Sequence, residues 1–176
     1  LLNPQSIAVI GASARPGSFG GRTIENLAGY DGALYPVNEK YDEIAGHRCY
    51  PSLDALPQVP DMAVLTTPAA SIEALLEDCI AAGVPAVMIY ASGFSEVATD
   101  EGRAAQDRIA RRAAEAGVRI LGPNCVGLLN YTSGARVTFA GTPEGRLSDG
   151  PAIGLVCQSG ALGFALAQAM ERGVAF

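Results

Sequence analysis

Short apolar runs alternate along this chain with longer stretches in which apolar residues recur every three or four positions. The short runs have the length and content of β-strands, and the run at 86–90 is apolar throughout, which predicts a strand buried on both faces. The predicted strands of the main sheet are 7–10, 32–37 with Pro36 marking its end, 62–66, 86–90 and 118–121.

Two helical patterns separate the later strands. Between 72 and 80, apolar residues lie at i, i+3, i+4, i+7 and i+8, which is one face of a helix; Thr67 is the predicted cap, with Pro68 at the first helical position. A second helix is predicted to start at the cap Thr99 and to end at Gly117. Its predicted inner stripe is Ala105, Ile109, Ala113 and Ala116.

Weaker patterns give the remaining predictions. They are a helix at 23–28, a polar loop at 38–50, one helical turn at 52–56, an irregular stretch at 131–150 and a linker at about 147–151. Beyond the linker, the apolar run 152–157 predicts another buried strand, and 161–172 predicts a helix. The residues expected on the inner face of that helix are Leu162, Leu166, Ala169 and Met170.

Strands that alternate with helices run parallel and are joined by right-handed crossovers, so the predicted fold is α/β, with an open doubly wound sheet. In such sheets ligands bind beyond the carboxyl ends of the strands, near the switch in strand order. The loops at those ends are 11–20, 38–40, 67–69, 91–96 and 122–127.

The loop after the first strand carries the clearest chemistry. Gly11 allows the turn, and Gly17, Gly20 and Gly21 allow a ligand to approach the backbone. Ser13 and Ser18 add hydroxyl donors and Arg15 adds a charge; with the N–H groups of the following helix start, this predicts a phosphate or pyrophosphate site. The spacing matches neither G-x-G-x-x-G nor a P-loop. A plain strand-to-helix turn with packing glycines is the alternative.

The end of the second strand leaves two ligands open. Glu39 could hold the ribose hydroxyls of a nicotinamide dinucleotide, whereas Lys40 would suit an additional phosphate. A solvated loop charge is the alternative for Lys40.

Composition narrows the function classes. The chain has 176 residues, of which 49% are hydrophobic, enough for one domain with its own core, and no apolar run approaches a membrane span. The net charge of −6 argues against nucleic acid as a partner. Four scattered cysteines and a single histidine argue against a zinc site and predict reduced thiols in a cytoplasmic protein.

The absence of an initial Met and the apolar pattern at the end predict a fragment of a longer protein.

Nucleophilic catalysis has no support in the sequence. His47 stands in a loop without a carboxylate or cysteine pattern, so we interpret it as solvated rather than catalytic. Ser13 and Ser159 do not fit G-x-S-x-G, and nothing near Cys125 would activate its thiol, so a packing role is favoured for that cysteine.

Six segments in register resemble one family. They are GAS at 11–13 with GS at 17–18 and Gly20, YPVN at 35–38, YPSL at 50–53, GFSE at 93–96, GPNCVG at 122–127 and GLVCQSGAL at 154–162. The chain resembles, over nearly its whole length, the N-terminal part of NDP-forming (ADP-forming) acyl-CoA synthetases, relatives of the succinyl-CoA synthetase α subunit. The same module heads bacterial protein acetyltransferases.

The resemblance implies that residues 1–147 are a CoA-binding, Rossmann-like domain and predicts its contacts. Ser13, Ala14, Arg15, Pro16, Gly17 and Ser18, after Gly11, would face the CoA phosphates. Asn38 and Lys40 would face the adenosine end, with Lys40 at the ribose 3′-phosphate. The nucleotide and the pantetheine arm would be contacted by Thr67, Pro68, Ala69, Ala91, Ser92, Gly93 and Asn124. The succinyl relatives carry a glutamate where Ser92 stands.

The resemblance also implies that residues 148–176 begin a second, flavodoxin-like domain. Its helix start at Gln158, Ser159 and Gly160 would meet the phosphate carried by a catalytic histidine, although a simple capping serine is the alternative there. The family's phosphorylated histidine and its ATP-grasp part are not within this sequence. The implied partner is therefore the rest of the synthetase, in cis or as another subunit, with ATP or ADP and Mg²⁺ used there.

The predicted function is the CoA-binding portion of an ADP-forming acyl-CoA synthetase, a ligase that works through an acyl phosphate and a phosphohistidine. Alone, the chain is predicted to be inactive and to hold no metal. The alternatives are a stand-alone CoA- or nucleotide-binding regulatory module and an NAD(P)-binding oxidoreductase domain. The sequence leaves open which acyl substrate is used and whether the nucleotide is ADP or GDP. It also leaves open whether the parent protein is a synthetase or an acetyltransferase, and whether the chain forms a homo-oligomer.

Overall fold

The computed structural model describes residues 1–143, 152–172 and 174. In chain order the strands are β1 (Ser6–Ile10), β2 (Ala33–Val37), β3 (Glu43–Ile44), β4 (His47–Arg48), β5 (Met62–Leu65), β6 (Ala86–Ile89), β7 (Arg119–Leu121), β8 (Gly127–Asn130) and β9 (Ala135–Thr138). The α-helices are α1 (Phe19–Asn26), α2 (Ile72–Ala81), α3 (Asp100–Ala116) and α4 (Gly160–Ala167).

The main sheet has five parallel strands in the order β2-β1-β5-β6-β7. Each of these strands was predicted to within one residue at either end, and the predicted doubly wound α/β fold is confirmed. The strand order reverses between β1 and β5, which places the expected ligand crevice at their carboxyl ends. Pro36 is the penultimate residue of β2, in line with its predicted place at the strand end, and it is tolerated there because β2 is the edge strand of the sheet.

Two cores lie on opposite faces of the sheet, because successive residues of a strand point to opposite sides. Ile7 and Val9 pack with α1 and with the hairpin formed by β8 and β9. Ala8 and Ile10 pack with α2 and α3. Every residue of β1, β5 and β6 is buried, as expected of strands that are covered on both faces.

Helix α1 begins four residues earlier than predicted. Ser18 has extended backbone angles and its Oγ accepts the N–H of Gly21 at 3.2 Å, which caps the helix before Phe19. Gly20 and Gly21 are therefore helical and belong to the first turn of α1, and their role in admitting a ligand to the backbone stays a prediction. A Cβ on Gly20 would lie 2.8 Å from the Cα of Ala12, so this glycine lets the helix pack closely on the loop.

Two segments predicted as irregular contain β-strands. In 38–50, β3 and β4 pair around Ala45 and Gly46, whose φ values of 51° and 79° match the two-residue turns of tight hairpins. In 131–150, β9 pairs antiparallel with β8, which lies just before that stretch, and the two strands cover one face of the sheet. The predicted helical turn at 52–56 is present as a 3₁₀ turn over Leu53–Ala55.

The helix caps were predicted with mixed success. Thr99 caps α3 by accepting the N–H of Gly102 at 3.1 Å, and Gly117 ends the helix with φ of 72°, as predicted. Ala116 is exposed rather than part of the inner stripe. Thr67 does not cap α2, because a 3₁₀ turn over Ala69–Ser71 comes first.

The last described segment differs most from its prediction. Residues 152–157 form no strand and are largely exposed, and Val156 is completely so, because no described strand pairs with them. Helix α4 forms, but Leu162 and Leu166 are exposed rather than inward, and Ala167 is the buried residue. The predicted linker at 147–151 lies outside the described residues. None of the described helices combines the length and the apolar content needed to cross a bilayer.

Candidate functional site

A cleft of about 600 Å³ opens at the carboxyl ends of the central strands, where the strand order reverses. Its lining comes from the loops after β1, β5, β6 and β7, from the first residue of α1 and from the end of the β8–β9 hairpin. The lining residues are Arg15, Phe19, Thr66, Thr67, Pro68, Ala69, Tyr90, Ala91, Ser92, Asn124, Cys125, Val126 and Phe139.

The glycine loop after β1 has a defined backbone conformation. Gly11 has φ of 82° and donates its N–H to Val37 O at 3.0 Å; a Cβ there would lie 2.6 Å from Cγ2 of Thr67. Gly17 has φ of 75°, and a Cβ on it would meet no atom within 4 Å. Gly11 is therefore needed for close packing, whereas Gly17 faces open space.

The two serines predicted as ligand donors already have partners within the loop. Ser18 Oγ donates to Ser13 O at 3.0 Å and accepts the N–H of Gly21. Ser13 is buried; its Oγ accepts the N–H of Arg15 at 3.2 Å and lies 3.3 Å from the hydroxyl of Tyr41. These bonds shape the loop, and Arg15 is the one charged side chain among the described residues that line the cleft.

The end of β2 supports the same loop from the other side. Asn38 Nδ2 donates to Ala12 O at 2.7 Å, and its Oδ1 accepts the N–H of Lys40 at 2.9 Å, so both ends of its amide are engaged. Lys40 and Glu39 are exposed and do not line the cleft. Lys40 is the only lysine in the sequence.

The loop after β6 is held by a carboxylate that the sequence did not single out for this role. Glu96 accepts the N–H groups of Gly93 and Phe94, the latter at 3.2 Å from each of its oxygens. Burial tends to raise the pKa of Glu96, but the backbone N–H groups outweigh it and lower the pKa overall. These bonds fix the loop whose first two residues, Ala91 and Ser92, line the cleft.

The sequence interpretation missed an aromatic cluster that lines the cleft. The rings of Phe19 and Phe139 stack with centroids 4.1 Å apart, and Tyr90 meets Phe139 edge to face at 4.9 Å. The Tyr90 hydroxyl lies 3.2 Å from Thr23 Oγ1, and burial raises the pKa of that phenol. The available signal was a large apolar residue, Phe19, directly after a glycine loop.

Cys125 and His47 give no nucleophile at this site. Burial raises the pKa of the Cys125 thiol to about 11, so the thiol stays protonated at neutral pH, in agreement with the packing role favoured from sequence. His47 lies in the β3–β4 hairpin and is not among the residues that line the cleft. No group of three potential metal ligands occurs among the described residues.

The second predicted phosphate site borders the cleft. Ser159 Oγ accepts the N–H of Leu162 at 3.3 Å and so caps α4, while Gln158 is exposed. Gly160 packs against the side chain of Val126, and a Cβ there would collide with it. Because Val126 lines the cleft, the start of α4 lies at its rim.

The predicted cofactor-binding residues thus fall into two groups. Seven line the cleft: Arg15, Thr67, Pro68, Ala69, Ala91, Ser92 and Asn124. The others are in the glycine loop (Gly11, Ser13, Ala14, Pro16, Gly17, Ser18), at the end of β2 (Asn38, Lys40) or beside Ser92 (Gly93). Cleft residues that were not predicted are Phe19, Thr66, Tyr90, Cys125, Val126 and Phe139.

Residues 5–131 match the family model described as CoA binding domain. The α subunit of ADP-forming acetate–CoA ligase I of Pyrococcus furiosus is 41% identical in an alignment of 172 positions that covers 94% of this chain and 36% of the relative. The chain therefore spans little more than a third of that relative's length.

Solved structures show the same fold. The acetyl-coenzyme A synthetase 1 of Ca. Korarchaeum cryptofilum, described as dinucleotide forming and solved with phosphate and ADP, superposes with a TM-score of 0.85 at 36% identity. The match covers 99% of this chain and 37% of that one. A hypothetical protein from Pyrococcus horikoshii OT3 matches with a TM-score of 0.55 at 27% identity, over 70% of this chain and 79% of its own.

Proposed function

This chain belongs to the CoA binding domain family, and we propose that its cleft binds coenzyme A as one part of an ADP-forming acyl-CoA ligase. The observation that carries the proposal is the set of groups that meet where the strand order reverses. The glycine loop, the first turn of α1 and Arg15 meet there above a cleft whose other described lining residues are uncharged. Such a site suits a ligand with an anionic diphosphate and a long neutral arm.

We propose that the diphosphate binds between Gly17, Arg15 and the first turn of α1, where helix N–H groups have no intrahelical partner. Since the hydroxyls of Ser13 and Ser18 are engaged within the loop, these residues are expected to shape the loop rather than to donate to the ligand. Asn38 contributes in the same way, through its bond to Ala12.

The two ends of the cofactor are assigned by charge and by position along the sheet. Lys40, on its long flexible stem beside the glycine loop, is proposed to reach the ribose 3′-phosphate. The pantetheine arm is proposed to run past the loops that follow β5 and β6 and past Asn124. The contact residues there are Thr67, Pro68, Ala69, Ala91, Ser92 and Gly93.

Residues 1–147 are proposed to be the CoA domain, and 148–176 the start of a second domain. The support is the family match over 5–131 and the solved protein that matches 70% of this chain with 79% of its own. At the start of α4, Gln158, Ser159 and Gly160 are proposed to receive a phosphate beside the cleft, because Gly160 contacts Val126.

The whole protein is proposed to join an acid to CoA in the cytoplasm at the expense of ATP, with Mg²⁺, through an acyl phosphate and a phosphohistidine. The only histidine here is His47, which lies outside the cleft. We therefore expect this chain to bind CoA without turning it over.

Calorimetry and thermal unfolding with CoA, dephospho-CoA and NADH test the proposal. CoA is expected to raise the melting temperature and NADH to leave it unchanged, because only a bound ligand stabilises the folded state. Dephospho-CoA should bind roughly tenfold more weakly, since it lacks the phosphate assigned to Lys40. Stabilisation by NADH alone, or no stabilisation by CoA, would refute the proposed function.

Lys40 offers a sharper test of the adenosine end because it is the sole lysine. CoA is expected to protect its ammonium group from acetylation, and dephospho-CoA to protect it less. Lys40→Ala should lower CoA affinity and remove the difference between the two ligands. Arg111→Ala, which removes an exposed cation of α3 outside the cleft, is the matched control. Equal protection by both ligands would remove Lys40 from the site.

A further inference from the structure

Phe19, Tyr90 and Phe139 form one surface of the cleft, the aromatic wall. Phe19 stacks on Phe139 with an angle of 16° between the rings, and Tyr90 stands edge-on to both. The one polar atom of these side chains, the Tyr90 hydroxyl, is paired with Thr23 Oγ1 on its buried side. The wall therefore offers the cleft an uncharged aromatic surface.

The wall reaches from the first residue of α1 to Tyr90, which follows β6, and to Phe139, which follows β9. Thr138, which precedes Phe139, donates its hydroxyl to Val126 O at 2.7 Å. Val126 in turn packs against Gly160. The bond between Thr138 and Val126 thus ties the aromatic wall to the rim that carries the second predicted phosphate site.

Charge is distributed unequally between the two sides of the cleft. Arg15, the charged lining residue, belongs to the glycine loop after β1, and Lys40 follows β2. From β2 to β7 there are four strand spacings, about 19 Å in all. A cofactor whose phosphates lie at the β2 and β1 side extends its neutral arm towards β6 and β7.

Phe19 also exposes more surface than a packed phenylalanine does. It is 47% exposed although it stands in the cleft and stacks on a neighbouring ring. Uncovered aromatic surface inside a polar-rimmed cleft is typical of a place where an apolar ligand group binds.

We propose that the aromatic wall binds the sulfur end of the cofactor together with an apolar acyl chain attached to it, and that it selects against acyl chains that carry a carboxylate. This inference rests on the proposed binding of CoA in the cleft. Phe19 and Phe139 are specificity-determining residues in this view. A carboxylate placed against the three rings would lose its hydration without gaining a hydrogen bond from them, since the Tyr90 hydroxyl is paired with Thr23.

Two acyl-CoAs with the same carbon skeleton test the selection. Butyryl-CoA and succinyl-CoA differ at the last carbon, which is a methyl group in one and a carboxylate in the other. Calorimetry on the full 176-residue chain should give butyryl-CoA about tenfold higher affinity than succinyl-CoA, and higher affinity than CoA itself. Equal affinities, or a preference for succinyl-CoA, would overturn the proposal.

Variants connect that preference to the wall. Phe19→Ala should reduce the preference for butyryl-CoA to about twofold or less, because it removes the most exposed ring. Phe139→Leu keeps the apolar bulk and should retain part of the preference for butyryl-CoA. Val59→Ala, at an exposed apolar position outside the cleft, is the control and should leave all affinities unchanged. An unchanged preference in both wall variants would overturn the proposal.

Adenosine 3′,5′-bisphosphate separates this inference from the proposed function. It lacks the pantetheine arm, so its affinity should be the same in the native chain and in Phe139→Leu, whose changed residue follows β9 and lies outside the first turn of α1. If the bisphosphate and CoA both bind but the wall variants leave the preference for butyryl-CoA unchanged, the wall proposal is refuted and the proposed CoA binding stands. If neither ligand binds, the proposed function fails and the wall proposal fails with it.

Discussion

Two regions of this chain have similar apolar sequences but opposite structures. In the sheet body, residues 1–143, the apolar run of β6 (Ala86–Ile89) is completely buried between two layers. In the C-terminal segment, residues 152–172, the comparable run at 152–157 forms no strand, and Val156 is completely exposed. An apolar run thus becomes a buried strand only where neighbouring strands and a covering layer are available.

The difference lies in the partners and not in the composition. β6 has β5 on one side and β7 on the other, so its backbone N–H and C=O groups are paired on both edges. The run at 152–157 has no such neighbour among the described residues. This contrast supports the proposal that the C-terminal segment begins a second domain rather than completing the first.

The largest expected effect comes from shortening one leucine in each region. Leu65→Ala in β5 should lower the free energy of unfolding by about 2–5 kcal/mol, because Leu65 is 0% exposed and its loss leaves a cavity. Leu162→Ala in α4 should change it by less than about 0.5 kcal/mol, because Leu162 is 55% exposed. Urea denaturation of both variants measures the difference. Similar losses would show that the segment is packed as tightly as the body.

A pair of glycines should give a smaller difference. Gly20→Ala places a Cβ 2.8 Å from Ala12 Cα and 2.9 Å from Thr66 Oγ1, and we expect a loss of about 1–3 kcal/mol from overpacking. Gly154→Ala meets nothing within 4 Å and should be close to neutral. Urea denaturation compares the two, and CoA affinity is expected to fall with Gly20→Ala as the glycine loop shifts. A neutral Gly20→Ala would mean that α1 can move away from the loop.

The sheet body was predictable because its strands are continuous apolar runs and because α3 carries both of its end signals, Thr99 and Gly117. The start of α1 was not predictable, since Phe19-Gly20-Gly21 has weak helix propensity. These residues are helical because Ser18 caps the helix and Gly20 packs on Ala12. Strands of two residues, such as β3, carry no periodicity and depend on the turn between them.

The candidate site was predictable where one loop supplies the chemistry and not where distant segments meet. The glycine loop and the positions after β5 and β6 follow from the topology rule for doubly wound sheets. The aromatic wall needs Phe19 and Phe139 together, and these residues are brought into contact by the β8–β9 hairpin, which the sequence pattern did not reveal. Whether the predicted residues contact CoA stays a prediction until the binding experiments are done.

A smaller effect is expected from the carboxylate that fixes a cleft loop in the sheet body. Glu96→Gln should cost about 0.5 kcal/mol at neutral pH, since a neutral amide accepts the two backbone N–H groups less well and the site is open to solvent. The pKa of Glu96 is lowered in the folded chain, so this contribution is present above the ordinary carboxyl pKa. It is lost as the pH falls through the lowered value.

Urea denaturation at neutral and acidic pH checks the direction of this pH dependence. The native chain and Glu96→Gln should differ at neutral pH and converge in acid. Glu39→Gln, at an exposed carboxylate after β2 that makes no bond to this loop, is the matched control. A difference that grows in acid would contradict the lowered pKa.

Removing residues 144–176 should have the smallest effect on the sheet body and is the sharpest test of the comparison. Among the described residues of the segment only Ala167 is buried, and the contact of Gly160 with Val126 is the one that reaches the cleft. We therefore expect the melting temperature to change by less than about 2 °C, which corresponds to a few tenths of a kcal/mol in a domain of this size. The shortened chain should also associate less in sedimentation experiments, because exposed side chains such as Ile153 and Leu166 are gone. A fall of the melting temperature by more than about 5 °C would mean that the segment belongs to the first fold, and the two regions would then be one cooperative unit.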